Sequence, residues 1–200
     1  KIILMIVAIL TVTFAQVPSV YSTELTAKAN VVSFLQEVLQ IDMPKYEATL
    51  TTYQAGSPSY YGGLKEEICR TELTSTESNI GVVYTLVNGT LVSCNLNLLN
   101  DLVFYAKEQP SATADFAKNF IQKYQQHTGA SYVEPMSKMI DEVDTQKNMT
   151  ITSGNLKLEV WINEYITDFN WIYTDNGIDF PQKGFSIHFK NGEFEGFGDG

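Results

Sequence analysis

Two Asn-Gly pairs constrain the fold more than any other feature of this sequence. Asn88-Gly89 and Asn191-Gly192 each separate two segments in which apolar residues alternate with polar ones. Asn-Gly is preferred in two-residue hairpin turns because both central residues there need a positive φ. Each pair therefore predicts a tight antiparallel β-hairpin. The predicted strands are 81–87 and 90–96 in the first hairpin, and 185–190 and 193–195 in the second.

The spacing of the two hairpins indicates an internal repeat. The two turns are 103 residues apart, and so are Gly81 and Gly184, which open the flanking strands. At that offset the strand around Ile68 falls on the strand around Trp171. The predicted helices do not share the offset, and two Asn-Gly turns can coincide by chance. Duplication and coincidence are therefore both open from the sequence.

Other periodicities predict the remaining elements. Apolar residues at three- and four-residue steps predict helices, and alternation predicts further strands. The predicted helices are Glu24 to Ile41, Asp101 to Lys107, a segment after Pro110-Ser111 ending at Gly129, and a short one from Met136 to Val143. The further strands are 46–54, 66–73 and those that follow Asn148.

This order of elements predicts an α+β fold with helices packed on an antiparallel β-sheet. A duplication would divide the chain into an N-terminal α+β half, residues 23–99, and a C-terminal α+β half, residues 100–200. Each half would be a helix followed by about four strands.

Residues 1–22 have the composition of a secretory signal peptide: one basic residue, an unbroken apolar run and an exit rich in small residues. The run has roughly 14 apolar-leaning residues, against the roughly 20 needed to span a bilayer, so a cleaved signal is favoured over an anchor. A cut after Ser22 is preferred, and a cut after Ala15 fits nearly as well. We therefore predict a secreted or extracytoplasmic protein. The chain starts at Lys1 and stops within a strand, so we expect a fragment, and a membrane anchor beyond residue 200 stays open.

Charge and motifs exclude several classes of function. The formal net charge is −10, which disfavours nucleic acid and anionic lipid as partners and membrane insertion of residues 23–200. The sequence has no nucleophile elbow, zinc-binding helix or phosphate-binding glycine loop, so it predicts no catalytic residue, cofactor or metal site. We therefore expect a protein that is not an enzyme.

The most distinctive candidate surface is aromatic. Strand alternation places Trp161 on the face opposite the core, together with Lys157, Glu159, Asp168 and Asn170. A tryptophan surrounded by polar groups suits stacking on a sugar or contact with a protein partner. Cover of Trp161 by another part of the chain is the alternative.

A second candidate surface is the tyrosine pair Tyr60-Tyr61, in a loop rich in Pro and Gly. A loop held in place by its own tyrosines explains this pair equally well.

Cys69 and Cys94 are the two cysteines, and in an exported protein they favour a disulfide over two buried free thiols. Asn88 and Asn148 begin Asn-x-Thr sequons and are candidate glycosylation sites. A two-residue turn at Asn191-Gly192 would place His188 opposite Glu195, as a solvent-side cross-strand pair without catalytic function.

Residues 148–160, followed by 171–173 and 176–179, resemble segments of uncharacterised exported archaeal proteins. The helix-then-sheet halves resemble PepSY and cystatin-like modules, and this resemblance implies extracytoplasmic protein-binding or inhibitory roles. We therefore expect a non-catalytic binding or surface-interaction module, inhibitory or chaperone-like toward an exported protein. Its partner would be a protein or carbohydrate at the cell surface. A structural component of a cell envelope or surface assembly and a carboxylate-using hydrolase acting on sugars are the alternatives.

Overall fold

A computed structural model describes residues 20–56, 63–98 and 103–200. In these ranges the helices are α1 (Val20–Glu37), α2 (Thr113–Thr128) and α3 (Glu134–Met139), with 3-10 turns at Met43–Lys45, Ser131–Val133 and Ile140–Glu142. The strands are β1 (Glu47–Ala55), β2 (Glu66–Thr74), β3 (Asn79–Val87), β4 (Thr90–Leu98), β5 (Met149–Ser153), β6 (Leu156–Ile162), β7 (Ile166–Asp175), β8 (Ile178–Lys190) and β9 (Glu193–Asp199).

The nine strands of the described residues form one antiparallel sheet in the order β1-β2-β3-β4-β9-β8-β7-β6-β5. The predicted α+β composition and the antiparallel sheet are confirmed, and the sheet is the dominant element. Both Asn-Gly turns are present, since Asn88 and Asn191 have φ values of 49° and 52°.

The last strand of each hairpin meets the other at the centre of the sheet. Cys94 of β4 lies opposite Phe197 of β9, and this pair is flanked by Ser93 opposite Gly198 and Asn95 opposite Gly196. A single row of core-facing residues crosses all nine strands of the sheet through this pair. In order it contains Tyr53, Cys69, Tyr84, Cys94, Phe197, Ile187, Phe169, Val160 and Met149.

The two hairpins share the same irregularity at the same place. In β4 the extra residue of a β-bulge is Val92, and in β9 it is Glu195, 103 residues later. The strands that precede the hairpins follow a different offset, because Cys69 and Phe169 occupy matching places in the row and are 100 residues apart. The predicted superposition of Ile68 on Trp171 is therefore wrong by three residues. An odd shift reverses the face of a strand, and Ile68 is indeed 37% exposed whereas Trp171 is fully buried.

Phe197 lies at the middle of the hydrophobic core, which contains residues of all three helices and of the sheet. Its ring stacks on Phe34 of α1 at a centroid distance of 5.1 Å and lies 5.2 Å from Phe120 of α2. Tyr124 and Phe185 approach the same ring at 5.3 and 6.0 Å. The residue at the junction of the two hairpins is thus also the residue that contacts both long helices.

The first helix differs from the prediction at both ends. It ends at Glu37 rather than Ile41, because Gln40 has a φ of 57° and the Ile41 N–H donates to the Leu35 carbonyl at 2.9 Å. It begins at Val20, inside the predicted signal segment. The other residues of that segment, 1–19, lie outside the described residues.

The predicted helix at 101–107 is wrong over its described part, residues 103–107. This segment runs beside residues 40–42, where the Asp42 N–H donates to the Phe104 carbonyl at 2.8 Å and the Ala106 N–H donates to the Gln40 carbonyl at 2.8 Å. Hydrogen bonds to a distant segment here replace those of a local helix.

Replacing Phe197 by Ala should lower the free energy of unfolding by about 3–5 kcal/mol, because it removes a fully buried ring from the core. Urea denaturation of the full chain measures this change. Ile178→Ala is the matched control, since Ile178 is 62% exposed and its loss should change stability by about 0.5 kcal/mol or less. Equal effects of the two substitutions would contradict the assigned position of Phe197.

Candidate functional site

The candidate site lies on the sheet face opposite the core, which we call the open face. On β7 the side chains of Phe169 and Trp171 are buried in the core, so those of Asp168 and Asn170 point to the other side. The same alternation runs through β6 and β8.

Trp161 of β6 lies on the open face and is 60% exposed. Asp168 is its cross-strand neighbour, and Glu159 lies opposite Asn170 in the same pair of strands. Lys157 lies two residues before Glu159 on β6 and therefore shares its face. The structure therefore brings together Trp161 and the four polar residues that alternation predicted around it.

Lys157 neutralises the acidic groups at its end of the open face. Its Nζ lies 2.8 Å from Glu159 Oε1 and also contacts the Asp179 carboxylate. Hydrogen bonds to Asp179 and to Glu159 raise the pKa of Lys157 above its ordinary value. The Glu159 carboxylate is thus held in an ion pair.

His188 of β8 links two further open-face groups. Its Nδ1 lies 2.9 Å from Asp168 Oδ1, and its Nε2 lies 3.1 Å from Ser186 Oγ. An ionised carboxylate can only accept, so when the ring is neutral its Nδ1–H donates to Asp168 and its Nε2 accepts the Ser186 hydroxyl proton. The three side chains form one continuous hydrogen-bonded chain.

Sequence reasoning missed this chain of contacts. The predicted pairing of His188 with Glu195 is wrong, because Glu195 is the extra residue of the bulge and His188 lies opposite Gly196. The spacing of Ser186 and His188 at alternate positions does place both on one face. Only the β7–β8 register brings Asp168 beside them.

A groove of about 360 Å³ lies on the open face next to Ser186. Its lining includes Asn170, Gly184 and Gly198 together with Ser93 of β4. A second hollow of about 350 Å³ lies elsewhere on the open face, against His188, Glu195 and Asn95. Strand β9 lies between β4 and β8 and has glycines at positions 196 and 198. The centre of the open face therefore has few side chains.

The other predicted surface residues are not part of this site. Tyr60 and Tyr61 lie outside the described residues. Both sequon asparagines are exposed: Asn88 lies in the first hairpin turn, and Asn148 precedes β5, where its Oδ1 accepts from the Ile162 N–H at 2.6 Å.

The predicted disulfide is not formed, and Cys69 and Cys94 are both free and buried. Tyr84 lies between them on β3, opposite both. Two strand spacings separate the cysteines by roughly 10 Å, whereas a disulfide needs Cα atoms about 4.4–6.8 Å apart. Desolvation raises the pKa of the Cys69 thiol to about 11 and raises the pKa of the Cys94 thiol further.

In residues 20–56, 63–98 and 103–200, no three His, Cys, Asp or Glu side chains converge as a metal-binding group. In the same ranges, none of the helices combines the length and the hydropathy needed to cross a lipid bilayer.

Comparison with known proteins adds little to this geometry. No protein-family model matches the sequence, and no curated protein matches it at a significant level. Among solved structures, the chain is similar to a protein of unknown function from Clostridium leptum, with 9% sequence identity and a TM-score of 0.35. The match covers 88% of this chain and 86% of the other.

The two buried thiols should resist alkylation in the folded protein. Because the thiol pKa values are raised, the thiolate fraction at pH 8 is far below that of an exposed cysteine. Iodoacetamide should therefore add no mass to the folded chain at pH 8, and two adducts after unfolding in urea without reductant. Intact mass spectrometry reads both states. An unfolded chain that accepts label only after reduction would show a disulfide and contradict the structure.

Proposed function

We propose that the protein is an exported binding or surface-interaction module whose open face engages a ligand at the cell surface. The observation that carries this proposal is the 60% exposure of Trp161 beside hydrogen-bonding side chains. An exposed indole leaves apolar area in water, and a ligand that covers it gains about 25 cal/mol for each Å² of apolar area buried. Tryptophan is also one of the residues that most often dominate binding energy.

The surroundings of Trp161 support a carbohydrate ligand. A sugar ring places an apolar C–H face against an aromatic ring while its hydroxyl groups exchange hydrogen bonds at the rim. Asp168 offers an acceptor next to the indole, and Asn170 and Ser186 offer both donors and acceptors one residue pair further along the strands. The adjoining groove of about 360 Å³ falls within the usual range of small-molecule sites.

A protein partner is the second candidate, and neighbouring apolar residues favour it. Tyr165 and Ile166, which follow Trp161 across the β6–β7 turn, are 59% and 40% exposed. Exposed apolar side chains that adjoin one another are typical of protein interaction sites. An inhibitory or chaperone-like role toward an exported protein, as the PepSY and cystatin-like resemblance implies, would use this corner of the sheet.

We also infer that the chain arose from two tandem halves, 23–99 and 100–200, each with a helix that packs on its own strands in a PepSY- or cystatin-like manner. The shared bulge at Val92 and Glu195 supports this inference, because an identical irregularity at a constant offset is harder to reach by chance than an Asn-Gly turn. The ligand-binding aromatic belongs to the second half alone, since Gln54 occupies the place in the first half that corresponds to Trp161.

Trp161→Ala should weaken binding at least about tenfold, which corresponds to about 1.4 kcal/mol, for any ligand that stacks on the indole. A glycan array and a pull-down from cell-envelope extracts identify ligands of the wild type, and titration calorimetry then compares the variants. Ile178→Ala is the matched control, because Ile178 is equally exposed but lies at the far end of β8.

If Trp161→Ala loses glycan binding and Ile178→Ala keeps it, the carbohydrate ligand is supported. If Trp161→Ala loses a captured protein and Ile178→Ala keeps it, the protein partner is supported. Affinities that match the wild type for every ligand found would contradict a binding function of the open face. A structural component of a cell envelope would also keep its wild-type affinity in Trp161→Ala, because no single aromatic residue would dominate its contacts.

A further inference from the structure

Four polar side chains form a two-by-two block on the open face of β7 and β8. Asp168 lies opposite His188, and Asn170 lies opposite Ser186. The Asp168 and His188 side chains are 28% and 38% exposed, so both are held by their neighbours and still reach the surface.

The order of the contacts is that of an activated nucleophile. Asp168 Oδ1 lies 2.9 Å from His188 Nδ1, and His188 Nε2 lies 3.1 Å from Ser186 Oγ. A hydroxyl becomes a nucleophile when an imidazole accepts its proton, and a carboxylate on the other ring nitrogen fixes the tautomer that can do so. We propose that Ser186 is the nucleophile of an acyl-transfer site that cleaves small carboxylic esters, with His188 as the general base and Asp168 as the residue that positions it.

The surroundings of Ser186 leave room for a substrate. Gly198 lies directly opposite Ser186 on β9, and a Cβ atom at position 198 would lie 3.3 Å from the Ser186 Oγ. Gly184 is the next residue of β8 on the same face. With these two glycines, the groove of about 360 Å³ opens beside the Ser186 hydroxyl.

Asn170 is the group placed to stabilise the developing oxyanion. At Ser186, β8 is paired with β7 on one side and with β9 on the other, so we assign the donor to a side chain. Cross-strand neighbours have Cβ atoms about 4.5–5.5 Å apart, and the Asn170 side chain lies opposite Ser186 and lines the same groove. An asparagine amide is an established donor for this purpose.

The reaction balances with water as the only co-substrate. Ser186 Oγ forms a bond to the ester carbonyl carbon while its proton moves to His188 Nε2, and collapse of the tetrahedral intermediate breaks the bond to the alcohol oxygen. His188 returns the proton to the leaving alcohol. Water then attacks the acyl-serine in the same way, with His188 again as base, and releases the carboxylic acid.

A fluorophosphonate probe tests the nucleophile directly, since attack by Ser186 forms an O–P bond and releases fluoride. We expect the full chain to be labelled at a single site, identified by peptide mass spectrometry as Ser186, and to hydrolyse p-nitrophenyl acetate. Ser186→Ala should lose both properties. Ser153→Ala is the matched control because Ser153 is an exposed serine of β5 that does not line the groove, and it should keep both.

Two further variants separate the roles. His188→Gln should lower the labelling rate at least about 100-fold. Asp168→Asn should lower kcat for the ester by a similar factor with little change in KM, because the ring is then held in the wrong tautomer. Thermal unfolding midpoints equal to the wild type show that the variants fold.

A wild-type chain without label, or label that persists in Ser186→Ala, would overturn the proposal. Trp161→Ala should still be labelled, since the small probe does not need the indole. The ester-cleaving site and the ligand-binding surface can therefore fail separately.

Discussion

The pairing of β4 with β9 holds the two parts of the sheet together. It consists of three residue pairs and joins the four strands that follow α1 to the five that follow α3. Glycine is required there, because a Cβ atom at Gly196 would lie 2.9 Å from the Cys94 carbonyl oxygen. Between the two glycines, Phe197 turns toward the core and contacts both long helices. One short strand thus joins the two parts of the sheet and places a side chain at the centre of the core.

The same strand shapes the open face. Where the core side has Phe197, β9 has only Gly196 and Gly198 on the open face, so neither residue adds a side chain to the surface between β4 and β8. The groove beside Ser186 and the hollow beside His188 both lie at this place. A sequence requirement of the fold, small residues at the centre of a sheet, therefore produces the space that a ligand can enter.

Local signals in the sequence were sufficient for much of this fold. The Asn-Gly turns predicted both hairpins, the periodic apolar residues after Pro110-Ser111 predicted α2, and alternation placed Trp161 on the open face. Long-range pairing was not accessible in the same way. A bulge at Glu195 moved His188 from its expected partner to Gly196, β3 separated the two cysteines, and pairing with residues 40–42 replaced the helix expected near Phe104. The hydrogen-bonded chain from Asp168 to Ser186 depends on the register of β7 with β8, which neither strand encodes by itself.

One face of this sheet is sealed by the core, and the other is open to solvent. The two tryptophans report on this difference directly, since Trp171 is fully buried and Trp161 is 60% exposed on the opposite face. Hydroxyl-radical footprinting of the full chain, read by peptide mass spectrometry, measures the solvent access of each indole. We expect rapid oxidation of Trp161 and protection of Trp171. Equal protection of both, or faster oxidation of Trp171, would contradict this difference between the two faces.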